Sequence, residues 1–219
     1  MSNFEKNDRN RVRRGHKRAR YDEETVYGIL DSHFLCHVAY EVDGQPQIIP
    51  TSYWREGDRV YWHGAMKSRM IREVTSGKEA CVSVTHLDGL VLARSAFETS
   101  ANYRSVVCYG RPELVTDAAE FDRQMELFFE RLAPGRWAQL RPMKPQERKA
   151  TALVVMEIDD AAAKVRDGGP DDGDGEDAAW PIWAGHVPLV MQQHEPVGVP
   201  EGVKAALNHG LMPDFDWNS

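Results

Sequence analysis

Three segments of this sequence carry side chains suited to chemistry. The first is His63-Gly-Ala-Met-Lys-Ser-Arg-Met70. A strand pattern ends there, Gly64 admits close backbone approach, and a helical pattern opens at Ser68-Arg69. A helix start offers free N–H groups and the positive end of the dipole, and so holds phosphate. Arg69 adds a planar fork for phosphate oxygens. The plainer reading of the same pair is a helix cap and a surface charge. The second segment is Leu90–Ser105, where Arg, Ser, Asn and Tyr interrupt a strand-like run. Such groups need partners if buried. A ligand or a subunit interface would supply them; the alternative is a solvated loop at 97–102. The third is Trp180-Pro-Ile-Trp183, suited to ring stacking or an interface, or to packing on its own core.

No protein nucleophile stands out, and no catalytic residue is assigned. His63 and His86 end strand-like runs, where histidine more often serves as a structural hydrogen-bonding residue. Spacing supports no Ser/His/Asp arrangement and no paired carboxylates. No CxxC, HExxH or zinc-type spacing occurs, so no metal site is read. Cys36, Cys81 and Cys108 sit in apolar runs and read as reduced core residues in a cytoplasmic protein.

The elements that must position these segments follow from periodicity. Asp22 caps a helix with Glu23 and Glu24 in its first turn and Val26, Ile29 and Leu30 as its stripe, ending near Ser32 or His33. Period-two runs then give strands at Phe34–Val42, Gln47–Trp54 and Arg59–His63, with an Asp43-Gly44 hairpin turn. Pro50 places its strand at an edge or a bulge. A short helix spans Lys67–Ser76 and closes at Gly77. Further strands are expected at Ala80–His86, Leu90–Phe97 (after a turn at Leu87-Asp88-Gly89), Tyr103–Tyr109 with Pro112–Val115, and Ala152–Ile158. The long helix runs from Asp117 to Leu132, with Phe121, Met125, Phe128 and Leu132 on one face. Residues 133–150 read as loop with one helical turn, and Val203–Asn208 as a short helix. Six to seven short antiparallel strands with few peripheral helices imply a mainly β (α+β) fold that closes into a small split β-barrel.

The 219 residues suit one large domain with appendages, and 42% hydrophobic against 28% charged residues indicates a globular chain. No apolar run reaches the roughly 20 residues of a membrane span. The net charge of −7 argues against a general nucleic-acid binder, but it conceals two poles. Residues 1–20 hold eight basic residues against Glu5 and Asp8, without apolar periodicity, and are expected to be a mobile arm that wraps a neighbouring subunit. Residues 157–177 hold nine acidic residues against Lys164 and Arg166, and 167–177 is expected to be a solvated loop.

Taken together, Tyr21-Asp-x-x-Thr-Val-Tyr-x-Ile-Leu, Ile49-Pro-Thr, His63-Gly-x-x-x-Ser-Arg-Met, Leu87-Asp-Gly-Leu-Val-Leu-Ala-Arg-Ser-Ala-Phe, Asn102-Tyr-Arg-Ser-Val, Pro134-Gly-Arg-Trp, Lys164-Val-Arg and Trp183-Ala-Gly-x-x-Pro resemble the flavin-nucleotide-binding branch of the pyridoxamine 5′-phosphate oxidase-like superfamily, which includes nitroimidazole-resistance proteins. The resemblance implies an FMN-binding split barrel over residues 21–190, flanked by the 1–20 arm and a 191–219 tail. It implies a homodimer with flavin at the interface. Pro50, Thr51, Ser52 and Tyr53 would run beside the flavin ring. His63 and Gly64 would line ring or ribityl chain, and Ser68 and Arg69 would hold the phosphate. Asn102, Tyr103 and Arg104 would face the flavin, with Trp183 arriving from the partner. The activity implied is an FMN-dependent oxidoreductase acting on a small molecule, with NAD(P)H as electron donor. The alternatives are a non-catalytic flavin- or haem-binding protein and a nitroreductase-like detoxifier, with F420 or haem as cofactors in place of FMN. Pyridoxamine 5′-phosphate oxidases proper end in Arg-Leu-x-Pro, which here occurs only mid-chain at Arg131–Pro134, so vitamin B6 oxidation is not expected.

Overall fold

The computed structural model describes residues 3–173, 176–192 and 194. Ten strands form one antiparallel sheet among them: β1 (Ala19–Arg20), β2 (Leu35–Val42), β3 (Gln45–Glu56), β4 (Arg59–Ala65), β5 (Ala80–Leu92), β6 (Ser100–Gly110), β7 (Pro112–Leu114), β8 (Thr151–Glu157), β9 (Asp160–Arg166) and β10 (Gly185–Pro188). The order is β1-β9-β6-β5-β2-β3-β4-β8-β7, with β10 added on β5. The architecture is the mainly β split barrel expected, with the sheet left unclosed. Four helices accompany it: α1 (Glu23–Asp31), α2 (Arg69–Val74), α3 (Ala118–Leu132) and α4 (Pro145–Ala150).

Local chemistry explains the helix starts. Asp22, Ser68 and Asp117 each accept a hydrogen bond from the backbone N–H three residues on, satisfying an otherwise orphaned donor. The strand expectations need correction: the described residues form ten strands rather than six to seven, β1, β9 and β10 are additions, and the strand expected over Leu90–Phe97 stops at Leu92. Leu87-Asp88-Gly89 is not a turn: β5 runs straight through it with a bulge between Leu87 and Gly89, since one extra residue can be absorbed without ending a strand. Gly89 is required there because a Cβ would meet the Val187 carbonyl oxygen of β10 at 2.9 Å. The strand β9 carries little β-propensity in Asp160-Ala-Ala-Ala, yet it pairs with both β1 and β6.

Two apolar clusters hold the layers together. The inner one joins α1 (Val26, Ile29, Leu30) to Val38 of β2, Trp62 of β4 and Val106 of β6. The outer one lies under α3, where Phe121, Met125 and Phe128 pack on Trp54, Tyr61 and Leu153. Each fully buried side chain of this size contributes about 1.5–3 kcal/mol. The Trp54 indole donates to Gln124 Oε1 at 2.7 Å, so the buried amide is satisfied inside the outer cluster.

The described part of the basic arm, residues 3–20, packs against the fold. Phe4 packs on the inner cluster, Asn10 is buried, and Arg9 bonds Asp160 and Glu79 across the sheet. Opposite charges from β9 and the start of β5 hold a segment whose sequence lacks periodicity. The acidic loop is likewise not wholly solvated. Asp172 is 3% exposed and accepts from both the backbone and the guanidinium of Arg94. The helix expected at Val203–Asn208 lies outside the described residues.

Candidate functional site

The residues singled out from sequence fall into two groups. The first spans β3, β4 and the start of α2. Tyr53 is the register partner of Trp62, so the Pro50–Tyr53 segment lies beside the end of β4 that carries His63 and Gly64. Residues 45–52 of β3 pair with β2 only, and 53–56 with β4. Pro50, which lacks an N–H, therefore sits where the other edge is open. Ile48, Ile49 and Pro50 are exposed along that edge, while Thr51 and Ser52 are half-buried. Tyr53 is fully buried, and its hydroxyl donates to the Leu30 carbonyl.

His63 lies on the outer-cluster face of β4. Its ring meets Phe128 edge to face at 4.8 Å and lies 6.2 Å from Trp54. Burial pushes its pKa down, keeping it neutral, and its buried Nδ1 has no partner among the described residues. Gly64 faces the other way, where a Cβ would meet Ile71 Cδ1 at 3.2 Å. Ser68 Oγ accepts from the Ile71 N–H at 3.2 Å, and its hydroxyl proton remains to donate. Arg69 is exposed and forms no ion pair among the described residues.

The second group lies on β6, three strands from β3, across β5 and β2. At about 4.8 Å per strand, that is roughly 14 Å along the sheet. Asn102 is buried and engaged: it donates to the Gly168 carbonyl at 3.0 Å and accepts from Arg166 at 2.6 Å. Lys164 lies 6.0 Å over the Tyr103 ring. Arg104 grips Asp88 with two nitrogens, at 3.1 and 3.0 Å. Trp183 is 63% exposed and covers Gly185 at the start of β10, which pairs with the far end of β5. The strand β10 takes the edge of β5 opposite β6, so Trp183 is not brought onto the β6 group.

Beside Arg104 the structure opens a cleft of about 420 Å³ that sequence reading missed as a site. Its walls are Ser32 and His33 after α1, Thr85–Asp88 at the β5 bulge, Arg104, and Leu189–Met191 after β10. The His33 and His86 rings meet edge to face, 4.9 Å apart. Burial lowers both pKa values, helped by the neighbouring charge of each ring's partner: His86 for His33, and Arg104 for His86. Both imidazoles are therefore neutral at pH 7. Their hydrogen bonds assign the tautomers. His33 Nδ1 accepts from the Leu35 N–H at 2.9 Å, which puts its proton on Nε2. Ser32 Oγ lies 3.0 Å from the Ile29 carbonyl oxygen and 3.1 Å from His86 Nε2, an arrangement that suits a protonated Nε2 donating to the hydroxyl oxygen. The His86 lone pair is then on Nδ1. The signal in the sequence was His86 beside a bulge-forming Asp-Gly, but its His33 partner is 53 residues away.

Comparisons with known proteins identify the family and the fold. Residues 22–165 match the family described as Pyridoxamine 5'-phosphate oxidase. The chain is 43% identical to the flavocytochrome Anf3 from Azotobacter vinelandii, over 95% of this chain and 94% of that one, with a TM-score of 0.86. It is 37% identical to the FAD and heme binding protein from Mycobacterium smegmatis, over 90% and 94%, with a TM-score of 0.81. A Bacteroides thetaiotaomicron protein described as a candidate for 5-nitroimidazole antibiotic resistance shares the fold at 17% identity, over 67% and 86%, with a TM-score of 0.57. No curated protein matches. The open antiparallel sheet, the 144 matched residues and the identity to two near-full-length relatives all agree: the chain belongs to the pyridoxamine 5′-phosphate oxidase-like family.

Proposed function

We propose that this protein is a redox protein that binds both a flavin nucleotide and a haem and works as a homodimer. The observation that carries the reading is the cleft at His33 and His86, present in a chain whose 43%- and 37%-identical relatives are named as a flavocytochrome and as an FAD and haem binder. Sequence resemblance pointed to FMN; the name of the second relative puts FAD first.

The residues present fit both groups. For haem, the cleft supplies neutral imidazoles, the apolar walls Leu87, Leu189, Val190 and Met191, and Arg104 as a cation at its edge. His86 would be the residue to hold the iron, with Ser32 and the Ile29 carbonyl against its ring to orient it. Arg104, already paired to Asp88, is suited to carry a carboxylate of the porphyrin edge. For flavin, Arg69 and Ser68 Oγ are suited to the phosphate, and the open edge of β3 offers backbone donors beside apolar side chains. When bound, the flavin would supply two-electron chemistry and the haem one-electron chemistry.

The homodimer rests on separation. The β3–α2 group and the β6 group lie three strands apart within one chain, so a second copy brings them together most simply. The apolar side chains left in water along β5 and β10 (Leu90, Leu92, Val187) supply a face for that copy. The described residues contain no helix long and apolar enough to cross a membrane. The three free cysteines suit a reducing compartment, and the cytoplasm is the setting proposed. Whether a small-molecule substrate is turned over is read by anaerobic reduction with NAD(P)H followed by reoxidation.

Extraction of the purified protein into acid, followed by mass spectrometry, tests the cofactor reading. FAD and protohaem together support it; FMN with haem corrects the nucleotide alone. Neither flavin nor haem, even after incubation with both, overturns it. Light scattering at about twice the chain mass supports the dimer, and a monomer at micromolar concentration rules it out.

A further inference from the structure

A second cleft, of about 490 Å³, lies on the β9 side of the sheet and borders the β6 group, since its Arg166 bonds Asn102 and its Lys164 lies over Tyr103. That volume is in the range of about 300–1,000 Å³ typical of small-molecule sites. Its lining brings Arg14, Lys17, Arg18, Lys164 and Arg166 together with His16, against the single acid Glu98. Among the described residues, none of these five cations forms an ion pair. At the rim stands Phe97, which is 89% exposed.

From this arrangement we infer that the cleft binds an adenine nucleotide, its phosphates on the cations and its base on the Phe97 ring. Arg166 is the built part of the site. It is 6% exposed, yet among the described residues its terminal nitrogens reach only neutral acceptors, Asn102 Oδ1 at 2.6 Å and the Gly169 carbonyl at 3.2 Å, and its Nε has no partner. A buried guanidinium without a counter-charge is costly, and a phosphate in the cleft it lines offsets that cost. The Phe97 loop is ordered from within. Thr99 Oγ1 donates to the Ser95 carbonyl at 3.0 Å and accepts from the Ala93 N–H at 3.3 Å, while Ser95 Oγ accepts from the Glu98 N–H at 3.2 Å. Asp172 pins Arg94 at the base of the same loop. An aromatic ring held in water beside an excess of cations is a stacking platform with a phosphate site next to it. One ring and one cleft on a chain of net charge −7 suit a single nucleotide rather than a nucleic-acid strand.

The test is isothermal titration of the purified full-length protein with ADP, NADPH and inorganic pyrophosphate, with flavin content measured on every variant. ADP and NADPH are expected to bind, more weakly as salt is raised. Lys164→Gln is expected to weaken both by about tenfold. Phe97→Ala is expected to weaken ADP by about fivefold or more while leaving pyrophosphate unchanged. Because Phe97 is almost fully exposed, its removal leaves the fold intact. Three results would overturn the inference: no binding at millimolar nucleotide, binding that neither substitution alters, or loss of flavin in Phe97→Ala, which would make the cleft the seat of the flavin's own adenylate. Flavin and haem content read from absorbance stands or falls separately from this site.

Discussion

His33 and His86, on two elements that meet only in the folded chain, bring their rings edge to face at 4.9 Å on one wall of the cleft. Their hydrogen bonds make them unequal. His33 spends its Nδ1 lone pair on the Leu35 N–H, and His86 keeps one. His86→Ala is therefore expected to purify without a Soret band and to recover none on haem titration. His33→Ala is expected to retain haem with a shifted band. Haem retained in His86→Ala and lost in His33→Ala would reverse the assignment. Because burial lowers the His86 pKa, the imidazole is available as a neutral ligand at pH 7, and haem loss is expected only on acidification below that lowered value.

Arg69 and Arg72 sit one helical turn apart and differ in one respect. Arg72 is already bonded to Glu73, at 3.1 and 3.0 Å, whereas Arg69 has no ionic partner among the described residues. Arg69→Gln is expected to weaken flavin binding about tenfold, equivalent to about 1.4 kcal/mol. Arg72→Gln is expected to leave it unchanged. Fluorescence titration of the apoprotein with FAD and FMN measures both, and equal effects would remove Arg69 from the phosphate site.

Gly110 ends β6 where the chain passes closest to β8. A Cβ there would lie 2.1 Å from the Glu157 carbonyl oxygen and 2.8 Å from Met156 Cγ. Gly110→Ala forces backbone apart and is expected to lower stability by about 2–3 kcal/mol or more. Gly44→Ala is expected to be far milder, since nothing lies within 4 Å of its Cβ, although its φ of +76° still costs something. Urea unfolding curves separate the two.

Glu56 and Glu120 both clasp Arg123, and that hydrogen bond is the largest influence holding each carboxyl below its ordinary value of 4.5. A depressed folded-state pKa adds stability above the ordinary pKa and loses it as pH falls through the lowered one. Thermal melts are thus expected to be flat near neutrality and to decline below about pH 4.5. Arg123→Gln is expected to flatten that acid limb. An unchanged limb would place the acid sensitivity elsewhere.

Much of this fold was legible because its signals are local. Asp22, Ser68 and Asp117 cap the helices that their own sequence neighbourhoods specify. Pro50 marked an open strand edge because a residue without an N–H tolerates little else. What was not legible depends on distant partners. The strand β9 forms from Ala161–Ala163, residues with weak strand preference, because β6 and β1 flank it. Asp172 read as one more solvated acid, and only the approach of Arg94, 78 residues earlier, buries it. The Ser68 cap at the start of α2 was visible as a motif. The His33–His86 cleft was not, because it needs α1, the β5 bulge and the segment after β10 at once.

The visible spectrum of the full-length protein, purified after expression with added haem precursor, tests the central claim most directly. A Soret band that sharpens and shifts on dithionite reduction, above flavin absorbance that bleaches in the same experiment, is the predicted result. Protein that shows neither band, and takes up neither haem nor flavin when both are supplied, would contradict it.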